Sequence, residues 1–153
     1  MKRIICSNID EQQIDCRLLI KNKFTDDGNE YTVYKYRIGG YTLEVVETIY
    51  HNGRLNDGNT YVSFSFIKND YFLPDIYFNS RTEKLEIANP FELTSNYVYF
   101  DGPYDYYDET EQIKNNSELY EDGIMEAEQV IYTVENEIID KYRHRDDILF
   151  NIR

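Results

Sequence analysis

The sequence predicts an α+β fold: an antiparallel, mostly meandering β-sheet of about eight strands with one long amphipathic C-terminal helix packed on it. Three observations carry this. Turn signals punctuate residues 1–100 at intervals of roughly 8 to 12 residues, the spacing of short strands in a β layer. Aromatic residues are abundant, 16 Tyr and 8 Phe, and such side chains favour the pleated, half-buried surface of a sheet. From residue 117 the apolar period changes from two to between three and four, the period of a helix.

With 153 residues and 41% hydrophobic content, the chain has material for one core and one domain. It divides into a β-rich part (1–100), an acidic, Tyr-rich connection (101–116), a helix (117–145) and a short terminal strand or tail (146–153). Mean hydropathy is low, −0.67, yet the aromatic content is far too high for a disordered polymer.

The first hairpin joins "RIICSNI" to "IDCRLLI" through residues near 10–13. In the second strand Ile14, Cys16, Leu18 and Ile20 form one apolar face against Asp15 and Arg17. Cys6 and Cys16 are expected to face each other across this ladder as small core residues with reduced thiols. Asp27 and Gly28 supply a primed turn, which needs positive φ. "YTVYKYRI", Gly39–Gly40 and "YTLEVVETIY" form the clearest hairpin. A loop follows, with Asn52–Gly53 and Asp57–Gly58 as turn dipeptides. In "TYVSFSFI", Val62, Phe64 and Phe66 point one way and Ser63 and Ser65 the other. "YFLPDIYF" reads as an edge or bulged strand, because Pro74 cannot donate to a ladder. "EKLEIA" and "NYVYF" add two short strands.

In the last third, Tyr120, Ile124, Ala127, Ile131, Val134, Ile138 and Tyr142 recur at threes and fours. At ~100° per residue they fall within about 80° of the helix circumference. Glu118, Glu121, Asp122, Glu126, Glu128, Glu135, Glu137 and Asp140 lie outside that arc, so eight carboxylates are expected to face outward. Gly123 either weakens this helix, by up to ~1 kcal/mol against Ala, or marks its start. Arg143, His144 and Arg145 suit a helix C-terminus, and "DDILFNIR" is a candidate final strand.

Charge is concentrated. Residues 1–100 hold 14 acidic and 11 basic side chains, whereas residues 101–140 hold 13 acidic side chains and a single base, Lys114. The net charge of −13 argues against direct binding to nucleic acid or to an anionic membrane, since phosphate binding needs Lys and Arg. No run approaches the ~20 apolar residues of a membrane span, and the apolar run after Met1 is too short for a signal-peptide core. The chain reads as a cytoplasmic protein of a bacterial host cell.

The segment "YFDGPYDYYDETEQ", residues 99–112, packs five acidic residues and four tyrosines into fourteen positions. With the first turns of the helix it forms the candidate partner-binding surface: Asp101, Tyr104, Asp105, Tyr106, Tyr107, Asp108, Glu109, Glu111, Glu118, Glu121, Asp122 and Glu126. Carboxylates two apart on a strand lie ~6.8 Å from each other, and those three or four apart on a helix ~5–6 Å, close to phosphate separations along a nucleic-acid strand. The tyrosines offer flat area on which arginine guanidinium groups stack. The competing reading is that the acids serve solubility, the first-turn acids complement the helix dipole, and the tyrosines pack on the sheet.

No catalytic residue, metal site or cofactor is expected. Asp101, Asp105, Asp108 and Glu109 lack the ligand alternation and glycine of a calcium loop. The surplus of acids singles out no acid–base pair for glycoside hydrolysis. His51 and His144 sit beside no nucleophile motif, and Gly39–Gly40 suits a turn rather than a phosphate loop.

In being small, strongly acidic and tyrosine-rich, with Lys, Asn, Ile and Asp usage typical of low-GC bacteria, the chain resembles the phage and mobile-element inhibitors that mimic DNA, the anti-CRISPR and anti-restriction proteins. "DDGNEY", residues 26–31, is similar to a hairpin turn in one small acidic Cas9-inhibitor family. The resemblance is one of composition and carries no family residue over. It implies a non-enzymatic inhibitor whose partner is a basic nucleic-acid-binding nuclease. Three other readings stand beside it: an immunity protein against a basic toxin nuclease, a phage structural or assembly protein, and an enzyme whose cleft the sequence does not reveal.

Overall fold

The computed structural model describes residues 2–5, 13–51, 58–70, 72–88 and 117–150. The fold is mostly antiparallel sheet with a C-terminal helix. Five strands run in chain order as a meander: β1 (Lys2–Ile5), β2 (Gln13–Asp26), β3 (Asn29–Ile38), β4 (Tyr41–Ile49) and β5 (Thr60–Lys68). The turns are those the sequence asks for. Asp27 (φ 50°) and Gly28 (φ 80°) both take the positive φ of a two-residue primed turn between Asp26 and Asn29. At the next turn positive φ falls on Gly39 (57°), between the paired Ile38 and Tyr41.

The chain then departs from a single meander. β6 (Ile76–Asn79) and β7 (Lys84–Ile87) pair only with each other, as a separate two-stranded sheet. The helical segment follows: α1 (Ser117–Val134), a π turn (Glu135–Ile139) and α2 (Asp140–Arg143). β8 (Ile148–Phe150) returns to the main sheet beside β5 and parallel to it, an orientation that requires the long intervening crossover. The Thr60 N–H donates to the Asp147 carbonyl at 2.9 Å and anchors this return.

The register puts Ile38, Tyr41, Leu43, Val45 and Val62 on one face of the main sheet, all fully buried. Phe64 on that face meets Phe78 of β6 (centroids 5.0 Å apart) and Tyr142 of α2 (6.1 Å). Hairpin and helix therefore cover the same face. From the helix Ala127, Val130, Val134 and Ile139 complete the core at 0% exposure.

Four details correct the sequence reading. Cys16 pairs with Lys2 on β1 and Ile38 on β3, so it does not face Cys6, which lies outside the described residues. Neither Leu18 nor Ile20 is buried as Ile14 and Cys16 are: Leu18, opposite Tyr36, keeps their face but is exposed, and Ile20 leaves that face. The register slips between them, and both are about half exposed, 48% and 51%. A bulge of one residue sends the following side chains to the other face. Pro74 lies before β6 rather than within a strand, buried, with its carbonyl accepting the Tyr41 hydroxyl at 2.6 Å. Finally, the buried side of α1 is rotated and widened: Gly123, Val130, Gln129 and Thr133 are buried, while Ile124 and Ile131 are only half-buried. The expected strand at 96–100 lies outside the described residues.

Candidate functional site: an acidic helix face

The inward contacts of α1 decide which of its side chains meet solvent. Gly123 lies inside the helix, where a Cβ would sit 2.5 Å from the Phe72 carbonyl oxygen, so the helix approaches the 72–73 backbone more closely than any other residue allows. Gly123, Ala127, Val130 and Val134 thus form the inner seam at helical spacing. Residues half a turn away are set outward.

Along that outward side run Glu118, Glu121, Met125, Glu128 and Tyr132, all exposed, at successive steps of three and four. At 1.5 Å rise per residue the stripe is about 21 Å long. Asp122, also exposed, flanks it. Among the described residues no Lys, Arg or His bridges Glu118, Glu121, Asp122 or Glu128. At the far end of the helical segment two of the bases are matched, Arg143 to Glu135 at 2.6 Å and Arg145 to Asp147 at 2.7 Å. The hydrogen bond from Arg145 holds the Asp147 carboxyl below its usual range. Among the described residues the acidic stripe is therefore uncompensated by any base.

Of the sequence-predicted site residues, Asp101, Tyr104, Asp105, Tyr106, Tyr107, Asp108, Glu109 and Glu111 lie outside the described residues. Glu118, Glu121 and Asp122 are brought together in one exposed helical turn and a half. Glu126 departs from the expectation. It is half-buried, and its Oε2 accepts the Gly40 N–H at 2.5 Å. This carboxylate pins the helix to the β3–β4 turn instead of meeting solvent. Glu135 is likewise turned inward, accepting the Leu85 N–H at 3.0 Å, and Glu137 is half-buried. The other five of the eight predicted outward carboxylates are exposed.

Glu135 also opens the π turn. The Asp140 N–H bonds to the Glu135 carbonyl, five residues back, which inserts one residue into the helix. Ile138 and Ile139 are both buried, and the positions after Glu135 are displaced around the axis.

Sequence reasoning missed Met125 (36% exposed) and Tyr132 (38%). Their signal was present: both sit three or four residues from Glu121 or Glu128 on the same helical line. Met125 places apolar area between Glu121 and Glu128, and Tyr132 adds a ring beyond Glu128, so the face is not purely anionic. Phosphate-like intervals of ~5–6 Å hold for Glu118, Glu121 and Asp122 and are interrupted at Met125.

Other chemistry-bearing groups lie apart from this face. His51 Nε2 is 2.6 Å from Glu30 Oε2 at the end of the β3–β4 ladder, and His144 Nε2 is 3.4 Å from Asp140 Oδ1. Among the described residues no group of three or more His, Cys, Asp or Glu could hold a metal ion, and no helix is long and apolar enough to cross a membrane. No family model matches the chain, and neither a curated protein nor a solved structure is similar to it.

Proposed function

We propose that this protein is a non-enzymatic inhibitor whose acidic face binds the nucleic-acid-binding surface of a basic protein, a bacterial defence nuclease, as a DNA mimic. The observation that supports this most is the exposed stripe Glu118–Glu121–Met125–Glu128–Tyr132, uncompensated by any described base and continuing the acidity of residues 101–116. Carboxylates on a helix are held on a rigid frame, which lets them meet Lys and Arg without the entropy cost of ordering a flexible acidic tail. They also steer a basic partner from a distance.

Met125 and Tyr132 shape the reading. A surface competing with duplex DNA through charge alone needs no apolar contact, but one that binds a particular protein gains from a rigid aromatic ring and an adaptable thioether among its charges. The helix face supports a protein–protein contact with phosphate-like character at one end. An amphipathic helix, apolar toward the sheet and acidic outward, is the element that joins fold to function here.

Immobilised protein is exposed to bacterial lysate with and without competing duplex DNA, and the retained proteins are identified. The reading predicts a basic nucleic-acid-binding protein that duplex DNA displaces. A toxin nuclease among the displaced species would instead assign the immunity role to the same face. Retention unaffected by DNA would overturn both.

A further inference from the structure

Among the described residues, the acidic helix is not the only surface without a covering element. β1 pairs with β2 only as far as Lys2↔Cys16. From Arg17 to Asp26 the outer edge of β2 has no strand partner among the described residues, while its inner edge is fully paired with β3. At ~3.3 Å per residue this free edge is about 30 Å long. It also carries Leu18, Leu19, Ile20 and Phe24, each 44% to 51% exposed. A long, apolar, open edge is an association hazard unless it is guarded or used.

The guard is visible. Residues 16–25 contain Arg17, Lys21 and Lys23 and no acid, in a chain of net charge −13. Two-fold antiparallel pairing of this edge with a second copy, centred on Leu19 or Ile20, would set Arg17 opposite Lys21 or Lys23 of the other chain. Like charges directly opposite are destabilising, so the edge disfavours itself. The same cations favour an acidic strand.

The register gives that strand a pattern. After the slip between Leu18 and Ile20, Lys21 and Lys23 pair with Tyr34 and Thr32 on the core-facing side of the sheet, and Ile20 and Phe24 pair with Lys35 and Tyr31 on the other side. The Lys21 ammonium lies over the Tyr34 ring at 5.5 Å, and Phe24 stacks on Tyr31 at 5.1 Å, so both rows are held in place. Over residues 20–24, a strand added outside β2 would meet Lys21 and Lys23 on one face and Ile20 and Phe24 on the other.

We infer that the free edge of β2 binds an extended segment of a partner protein whose side chains alternate between acidic and apolar, by adding it to the sheet as a further strand. The site is separate from the acidic helix face, has the opposite charge, and does not depend on the function proposed above.

The test uses the full chain and a capped peptide of about ten residues alternating Glu and Val, followed by amide hydrogen exchange. The expected result is slowed exchange confined to the outward amides of Arg17–Asp26, and at least tenfold weaker binding in the exposed-site variant Lys21→Glu/Lys23→Glu. An alternating Lys and Val peptide should ignore the parent and bind that variant, which separates charge recognition from damage to the fold. The inference is overturned if the Glu/Val peptide leaves these amides unprotected or if both peptides bind the parent equally. It is also overturned if short duplex DNA, or the protein's own self-association at high concentration, protects the edge instead.

Discussion

Gly123 of α1 lies against the Phe72 carbonyl oxygen so closely that a Cβ would stand 2.5 Å from it and 3.4 Å from the Leu73 Cα. What the sequence presents as a flaw in the helix is the contact that seats it.

Gly123→Ala should therefore destabilise the protein. The gain in helix propensity is ~1 kcal/mol, but the obstacle is backbone, and overpacking of this kind costs about 1–3 kcal/mol or more. We expect a net loss of about 1–2 kcal/mol and a melting temperature lower by about 3–6 °C. A rise in melting temperature would show that the helix does not approach the 72–73 segment.

Glu135 is the tie between the π turn and the small sheet, accepting the Leu85 N–H at 3.0 Å while pairing with Arg143 at 2.6 Å. Arg143 in turn donates to the Glu83 carbonyl, at the turn between β6 and β7. Glu135→Ala should cost about 1–3 kcal/mol and accelerate exchange at the Leu85 amide more than at β3 or β4. Uniform acceleration across the main sheet would contradict a local role.

The Tyr142 hydroxyl donates to Glu47 Oε2. Burial first, then this hydrogen bond and the Glu47 charge, push its pKa well above the ordinary value near 10. Tyr41 is raised by burial in the same direction. A raised folded pKa means that the unfolded chain loses its proton first. The stability contributed is complete below pH about 10 and is lost progressively as pH rises beyond it. Tyr142→Phe should lower stability at pH 7 by about 1–2 kcal/mol while flattening the decline above pH 10, as read by urea unfolding at both pH values. An unchanged alkaline slope would count against this assignment.

Much of the architecture was legible because its signals are local. Asp27–Gly28 and Gly39–Gly40 name their turns through backbone φ, and Val62, Phe64 and Phe66 declare their face by alternation. What escaped depends on register and on distant partners that local patterns do not fix. A single-residue slip between Leu18 and Ile20 moves Ile20 from core to surface, and Glu135 turns to the small sheet through the Leu85 N–H, 50 residues away in sequence. Glu126 was misread for the same reason as Glu135. Its partner, the Gly40 N–H, is 86 residues away, and nothing in the helix sequence distinguishes it from Glu121 or Glu128. The acidic character of the helix was evident from composition, whereas Met125 and Tyr132 required knowing which side of α1 is buried.

The central claim is that the uncompensated acids of α1, together with those of residues 101–116, bind a basic partner. It is tested most directly by measuring affinity for the captured partner as a function of salt, for the parent and for Glu118→Lys/Glu121→Lys/Glu128→Lys and Asp105→Lys/Asp108→Lys/Glu109→Lys. The account predicts steep weakening of the parent with salt, a loss of at least hundredfold in each variant, a shallower salt slope, and unchanged melting temperatures. Binding as tight as the parent's, with the same salt slope in both variants, would contradict it.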